Sequence, residues 1–152
     1  MKLEQALQSS KFRTEVQKAV LNILYTAWWL KTITSRELKE FGITHEQYNV
    51  LRILRGKHPD RMCVRDIASR MIEKNSNVPR IIDRLELKKL VERSTSAVDK
   101  RETVIMLTHT GIAMLGSCTE KVNSIFEKAM PISETEADTL NQLLEKLRQN
   151  EQ

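Results

Sequence analysis

Apolar residues return every three or four positions along most of this 152-residue chain, which is the repeat of an amphipathic helix. Val16, Val20, Ile23, Leu24, Ala27, Trp28 and Leu30 predict a long helix over residues 11–32 with a broad stripe. The stretch "SRELKEFGI" reads as a separate short turn, stopped by Gly42 in the place of a C-terminal glycine. Thr44 followed by Gln47 makes a capping box, and Tyr48, Leu51 and Leu54 share one face of a helix ending near Gly56. "HPDRMCV" reads as a polar break. After it, "VRDIASRM" is a short helix pointing Ile67, Ala68 and Met71 inward. A turn of about four residues, "IEKN", leads to a helix from about 76 to 89, with Val78, Ile81, Ile82 and Leu85 at i, i+3, i+4 and i+7. With Ser76 or Asn75 as its N-cap, Pro79 falls in the first turn, where backbone N–H groups lack intrahelical partners anyway.

The period then changes. Leu90–Arg93 and Thr103–Leu107 are rich in strand formers and flank "STSAVDKRE", a run of turn formers and charges, so a hairpin is expected. A helix from 108 follows, carrying Ile112, Leu115, Val122 and Phe126 and broken at Pro131. Ser133 with Glu136 caps a last helix striped by Leu140, Leu143, Leu144 and Leu147. The pattern predicts a mainly α fold with a small β-hairpin wing: a winged helix-turn-helix over about 44–107, flanked by terminal helices, in a single domain over 1–152. The flanking stripes, 11–32 and 108–149, exceed what a compact winged module can cover, and burial in a two-fold homodimer would satisfy them. Trp28 and Trp29 sit about 100° apart on a helix and cannot both face one intrachain core. At least one is expected to face a partner subunit or a ligand cavity.

Composition agrees with helices, since Gly and Pro are scarce and Leu, Glu, Lys and Arg abound. The net charge of +5 is uneven. Residues 1–60 hold ten Lys/Arg against six Asp/Glu and residues 61–107 hold eleven against seven, +4 in each case, whereas 108–152 hold four against seven, −3. Positive charge in the helix-turn-helix half is the footprint of a nucleic-acid binder, although most single charges serve as solvated faces. Cys63 and Cys118 are far apart, without C-x-x-C or nearby His ligands, which argues against a disulfide scaffold or a metal module, and no cofactor is expected. No run approaches the 18 or so apolar residues of a membrane span, so a soluble, cytoplasmic protein is expected.

On the second helix of the pair, Asn77, Arg80, Arg84 and Lys88 fall within about 80° of one another, opposite the apolar stripe. Asn pairs with adenine and Arg with guanine in the major groove, so this face suits base readout. It equally suits a solvated face with partners such as Arg80–Asp83. Lys100 and Arg101 lie at the hairpin tip, where a cation can enter a narrow minor groove. Asp99, two residues before Arg101, would bracket the guanidinium.

The order of helices, "NSNVPRIIDRLELKKLVER", the D-x-R of Asp99-Lys100-Arg101 and the following "LTHTG" resemble the MarR family of bacterial winged helix-turn-helix transcription regulators. The resemblance spans about residues 11–149. It implies that Ser76, Asn77 and Arg80 approach the major groove, that Arg101 enters the minor groove and that the terminal helices form the dimer interface; Asn75, beside them, is a further candidate for contact with DNA. It also implies repression through an inverted-repeat operator in double-stranded DNA, with release by a small-molecule effector or oxidation. Ligands of such proteins sit between the dimer helices and the winged module, which makes Trp28, Trp29, His45 and Tyr48 candidate pocket residues, although an aromatic at helical spacing is more often core than ligand contact. Pro79 replaces a frequent Ser or Thr, so one hydroxyl contact is missing and base preference should differ. "LKK" at 87–89 lacks the glycine that often precedes the wing, which would alter the wing's angle.

The remaining residues suggest nothing catalytic. His45, His58 and His109 belong to no nucleophile–base order, H-E-x-x-H motif or phosphate loop. Neither cysteine shows the exposure or resolving partner of an oxidant sensor, so a carbon ligand, or none, fits better. A winged-helix protein-interaction module without DNA binding is the alternative, opposed by the arginine face and the wing.

Overall fold

The computed structural model describes residues 1–149. Seven α-helices and a three-stranded antiparallel sheet follow the order α1 (Leu3–Leu7), α2 (Glu15–Leu38), α3 (His45–Lys57), β1 (Met62–Cys63), α4 (Val64–Arg70), α5 (Val78–Leu87), β2 (Val91–Thr95), β3 (Thr103–Leu107), α6 (His109–Ala129) and α7 (Glu134–Leu147). The expected fold, mainly α with a small β wing, is the one observed.

Its core lies where α3, α4, α5 and α6 meet the sheet. Leu51, Leu54, Ile67, Ile82, Leu85, Leu90 and Ile105 are fully buried there, and Leu115 and Val122 bring α6 onto the same cluster. Close packing of this kind is what lets a 10-residue helix such as α5 persist, since an isolated helix of that length is marginal in water.

Several boundaries differ from the sequence reading for identifiable reasons. Helix α2 starts at Glu15 because Thr14 caps it, its hydroxyl accepting from the Gln17 N–H at 3.1 Å, and it runs past residue 32 to Leu38. No glycine or proline interrupts "TITSREL", and the hydroxyls of Thr32 and Thr34 donate back to the Trp28 and Leu30 carbonyls, which satisfies them inside the helix. The expected separate turn shrinks to a 3-10 turn over Lys39–Phe41, closed by Gly42 at φ +67°. The five-residue α1 carries too short a pattern to be read from sequence. The link between α4 and α5 occupies residues 71–77 rather than about four.

The polar break "HPDRMCV" conceals a strand. Met62 and Cys63 pair with Ile105 and Val104, adding β1 to the hairpin and giving the order β1-β3-β2. The hairpin's register sets Val91 opposite Leu107 and Thr95 opposite Thr103. The turn that leads into it needs no glycine: Lys89 itself adopts the left-handed conformation, φ +59°, so a lysine carries the backbone strain that a glycine would avoid.

The "LTHTG" motif has a steric explanation. Thr108 caps α6, accepting from the Gly111 N–H at 3.0 Å, while its own hydroxyl donates to the Lys89 carbonyl at 2.7 Å. A Cβ at residue 111 would lie 2.0 Å from the Leu90 carbonyl oxygen, so only glycine lets α6 start against the strand turn. Helix α7 differs from the rest: its capping box at Ser133 and Glu136 forms, yet it buries no residue, and Leu140, Leu143 and Leu147 stay exposed.

Candidate nucleic-acid interface

Helix α5 begins at neither expected N-cap. Asn77 caps it, its side-chain oxygen accepting from the Arg80 N–H at 3.2 Å, and Pro79 sits in the first turn as expected. The Ser76 hydroxyl donates to the Glu73 carbonyl at 2.8 Å. Both polar side chains therefore fix the helix start as well as standing at its exposed end.

The carboxylates of α5 are drawn to one side. Arg93 on β2 pairs with Asp83 and, at 3.3 Å, with Glu86. The Arg80–Asp83 pair considered from sequence therefore does not form, and among the described residues Arg80 and Arg84 have no acidic partner. Arg93 is the residue that sequence reading missed, and the signal was present: two acids three residues apart on α5 precede an arginine on the adjoining strand. Exposed ion pairs of this sort add little stability, but this one offsets part of the negative charge of the helix and draws both acids away from its arginines.

Lys88 departs from the expected reading face. Its ammonium donates to the Gly42 carbonyl and to the Gln47 side-chain oxygen, which ties the end of α5 back to the start of α3. Asn75, Ser76, Asn77, Arg80, Arg84 and Lys88 nonetheless border one open cleft of about 550 Å³, whose far wall is formed by Thr44, Glu46 and Gln47 of α3 and by Glu73.

Asp99, Lys100 and Arg101 lie at the hairpin tip, apart from that cleft. Asp99 accepts from the Arg101 backbone N–H at 2.9 Å and does not bracket the guanidinium as expected. Its role is to fold the tip, together with the Ser96 hydroxyl, which accepts from the Val98 and Asp99 N–H groups. Lys100 and Arg101 are exposed and without acidic partners among the described residues.

The four candidate pocket residues separate into three places. Trp28 is 59% exposed and stacks at a tilt on Tyr25, with ring centroids 5.5 Å apart. Trp29 borders a cavity of about 310 Å³ with Leu3, Asn22 and Tyr25, near the N-terminus. His45 and Tyr48 border another, of about 290 Å³, with Asn49, Arg52, Asn123 and Phe126 between α3 and α6. Cys118 is fully buried, and burial pushes its thiol up to about 11, the opposite of a reactive thiolate. Cys63 is buried as well.

One polar cluster stands at the edge of the cleft. Donor atoms of His45, Glu46 and Glu73 lie within 4.8 Å of one another, and the Lys31 ammonium sits on both carboxylates, 2.5 Å from Glu73 and 3.0 Å from Glu46. The two pairs, Glu73 foremost, hold the lysine above its ordinary pKa. Burial opposes ionisation of Glu46, yet the Lys31 hydrogen bond helps hold its carboxyl below the usual value.

The chain resembles known proteins in sequence and in fold. The model of the MarR family matches residues 43–103, the span from α3 to the wing. The HTH-type transcriptional regulator MgrA of Staphylococcus aureus is 29% identical over 117 residues, covering 75% of this chain and 76% of MgrA. A MarR transcription factor from Planctomyces limnophilus is 30% identical and superposes with a TM-score of 0.68 over 91% of this chain and 98% of its own. A point mutant of S. aureus MepR, solved bound to an oligodeoxyribonucleotide, is 25% identical with a TM-score of 0.58 over 88% of this chain and 98% of its own. With its winged helix-turn-helix fold, its D-x-R wing and these relatives, the chain belongs to the MarR family, whose members are transcription regulators and not enzymes.

Proposed function

We propose that the chain is a homodimeric, sequence-specific DNA-binding regulator that represses from an inverted-repeat operator and is released by a small ligand. One observation carries the DNA-binding part: Arg80 and Arg84 on α5, and Lys100 and Arg101 on the wing, lack acidic partners among the described residues, while Arg93 engages the acids of α5. An arginine fork fits guanine in the major groove, and a wing cation fits the negative minor groove. MepR, bound to an oligodeoxyribonucleotide, supports the same reading.

The division into a reading region, about 44–107, and interface helices at both ends is part of the proposal. Val16, Val20, Leu24 and Trp28 on α2 and Leu140, Leu143 and Leu147 on α7 are exposed in the single chain, and a second copy would cover such faces symmetrically. Two reading helices related by that axis address half-sites about one helical turn, roughly 10 bp, apart. The cavity beside His45 and Tyr48 is the place we assign to an effector, because it adjoins both α3 and α6. Among the described residues no helix is long and apolar enough to cross a membrane.

Selection from a randomised duplex pool tests the reading. An enriched inverted repeat, with log affinity falling linearly as log salt rises, is the expected result. Absence of both enrichment and salt-dependent binding would leave a protein-interaction module instead.

A further inference from the structure

The cluster around Lys31 links two parts of the molecule that the proposed function keeps apart. Lys31 belongs to α2, the long helix with the exposed apolar face. Glu46 belongs to the first turn of α3, and Glu73 to the link that leads into α5. The Glu73 side chain is fixed by Lys31, and its backbone carbonyl accepts from both the N–H and the hydroxyl of Ser76, at 3.1 and 2.8 Å. The Ser76 carbonyl in turn accepts from the Val78 N–H at 3.0 Å, one residue after the Asn77 cap. A short chain of bonds thus runs from α2 through Glu73 to the first turn of α5.

Beyond Met71, which is buried in the core and anchors the α4 end, few other contacts fix the link between α4 and α5. Ile72 donates its N–H to the Asn49 side chain at 3.0 Å, and the Lys74 ammonium bonds to the Ser69 carbonyl, within the local turn. Residues 72–75 are exposed, so no apolar burial holds them. Of the side-chain bonds named here, only Lys31–Glu73 reaches from this link to α2.

We propose that Lys31 is a positioning residue: it sets the start of the reading helix relative to α2 by holding Glu73, and with it Ser76 and Asn77. The positional part stands on the geometry alone, and the effect on DNA rests on the DNA-reading function proposed above. Lys31 lies off the cleft lining, so its contribution to DNA affinity is indirect.

The experiment compares the full-length protein with Lys31→Met and with the exchanged pair Lys31→Glu/Glu73→Lys, which keeps one lysine between two glutamates. In free protein, Lys31→Met should speed amide hydrogen exchange at Ser76 and Val78 while leaving the core amides of Ile82 and Ile105 unchanged. On an operator selected with the wild type, it should weaken binding about tenfold, the middle of the range for residues that act through others. The salt slope should stay the same, since no phosphate contact is lost, and the exchanged pair should restore both affinity and protection. Unchanged exchange at Ser76 would overturn the inference, as would a lower affinity accompanied by a salt slope smaller by about one, which marks a phosphate contact. If the wild type bound no duplex, the proposed function would fall, and with it the predicted effect on DNA, while the exchange data would still decide whether Lys31 holds the turn.

Discussion

Ile82 and Leu143 occupy equivalent places on the apolar stripes of two amphipathic helices, yet Ile82 is fully buried and Leu143 is 57% exposed. Helix α5 closes its stripe within the chain, through Val78, Ile82 and Leu85, against α3, α4 and the sheet. Helix α7 has a clear stripe and a complete capping box but no buried residue, and the first half of α2 leaves Val16, Val20 and Leu24 in solvent. Amphipathic spacing shows that a face is to be covered; it does not say by what. One region supplies its own cover, and for the other we infer a second copy.

The largest effect that separates the regions is the cost of a cavity. Ile82→Ala should lower unfolding free energy by about 2–5 kcal/mol, the range for large-to-small changes in a packed core. That loss should not vary with protein concentration. Leu143→Ala should instead shift the denaturation midpoint in a concentration-dependent way, because stability gained from a partner follows mass action. Equal, concentration-independent shifts for the two variants would erase the contrast.

Within the reading region, Arg80→Ala should cost about 1–3 kcal/mol of binding and relax preference at one base position, as measured by competition among operator variants. Equal loss on every sequence would make Arg80 a phosphate clamp. Arg101→Ala should weaken binding less and flatten a preference for A·T-rich flanks, read from the same competition; unaltered affinity would remove the wing from the interface. The smallest effect concerns Lys89. Glycine there should stabilise the fold by about 1 kcal/mol in chemical denaturation, by relieving the left-handed backbone.

How much of this was legible follows from which forces are local. The capping boxes at Thr44 and Ser133, the proline in the first turn of α5 and the glycine end at Gly42 are short-range devices, and each appears where the sequence placed it. The third strand was not legible, because two residues carry no alternation and Met62 and Cys63 become a strand only by pairing with β3. Helical spacing alone puts Lys88 on the reading face, and the two-residue spacing suggests that Asp99 brackets the Arg101 guanidinium. The Asp99 bond to the Arg101 backbone N–H is local, an Asx-type turn, whereas the Lys88 bond to the Gly42 carbonyl depends on where the chain passes in space. For the same reason Trp28 and Trp29 could not be separated from His45 and Tyr48 before the packing of α2 on α6 was known.

The most direct test of dimeric operator binding is the mass of the protein in solution, alone and on a duplex carrying the selected inverted repeat, by sedimentation equilibrium. Two chains in the free protein and two chains per duplex, with no detectable one-chain complex during titration, is the predicted result. A free monomer that fills the two half-sites independently would contradict it, and the exposed faces of α2 and α7 would then need another explanation.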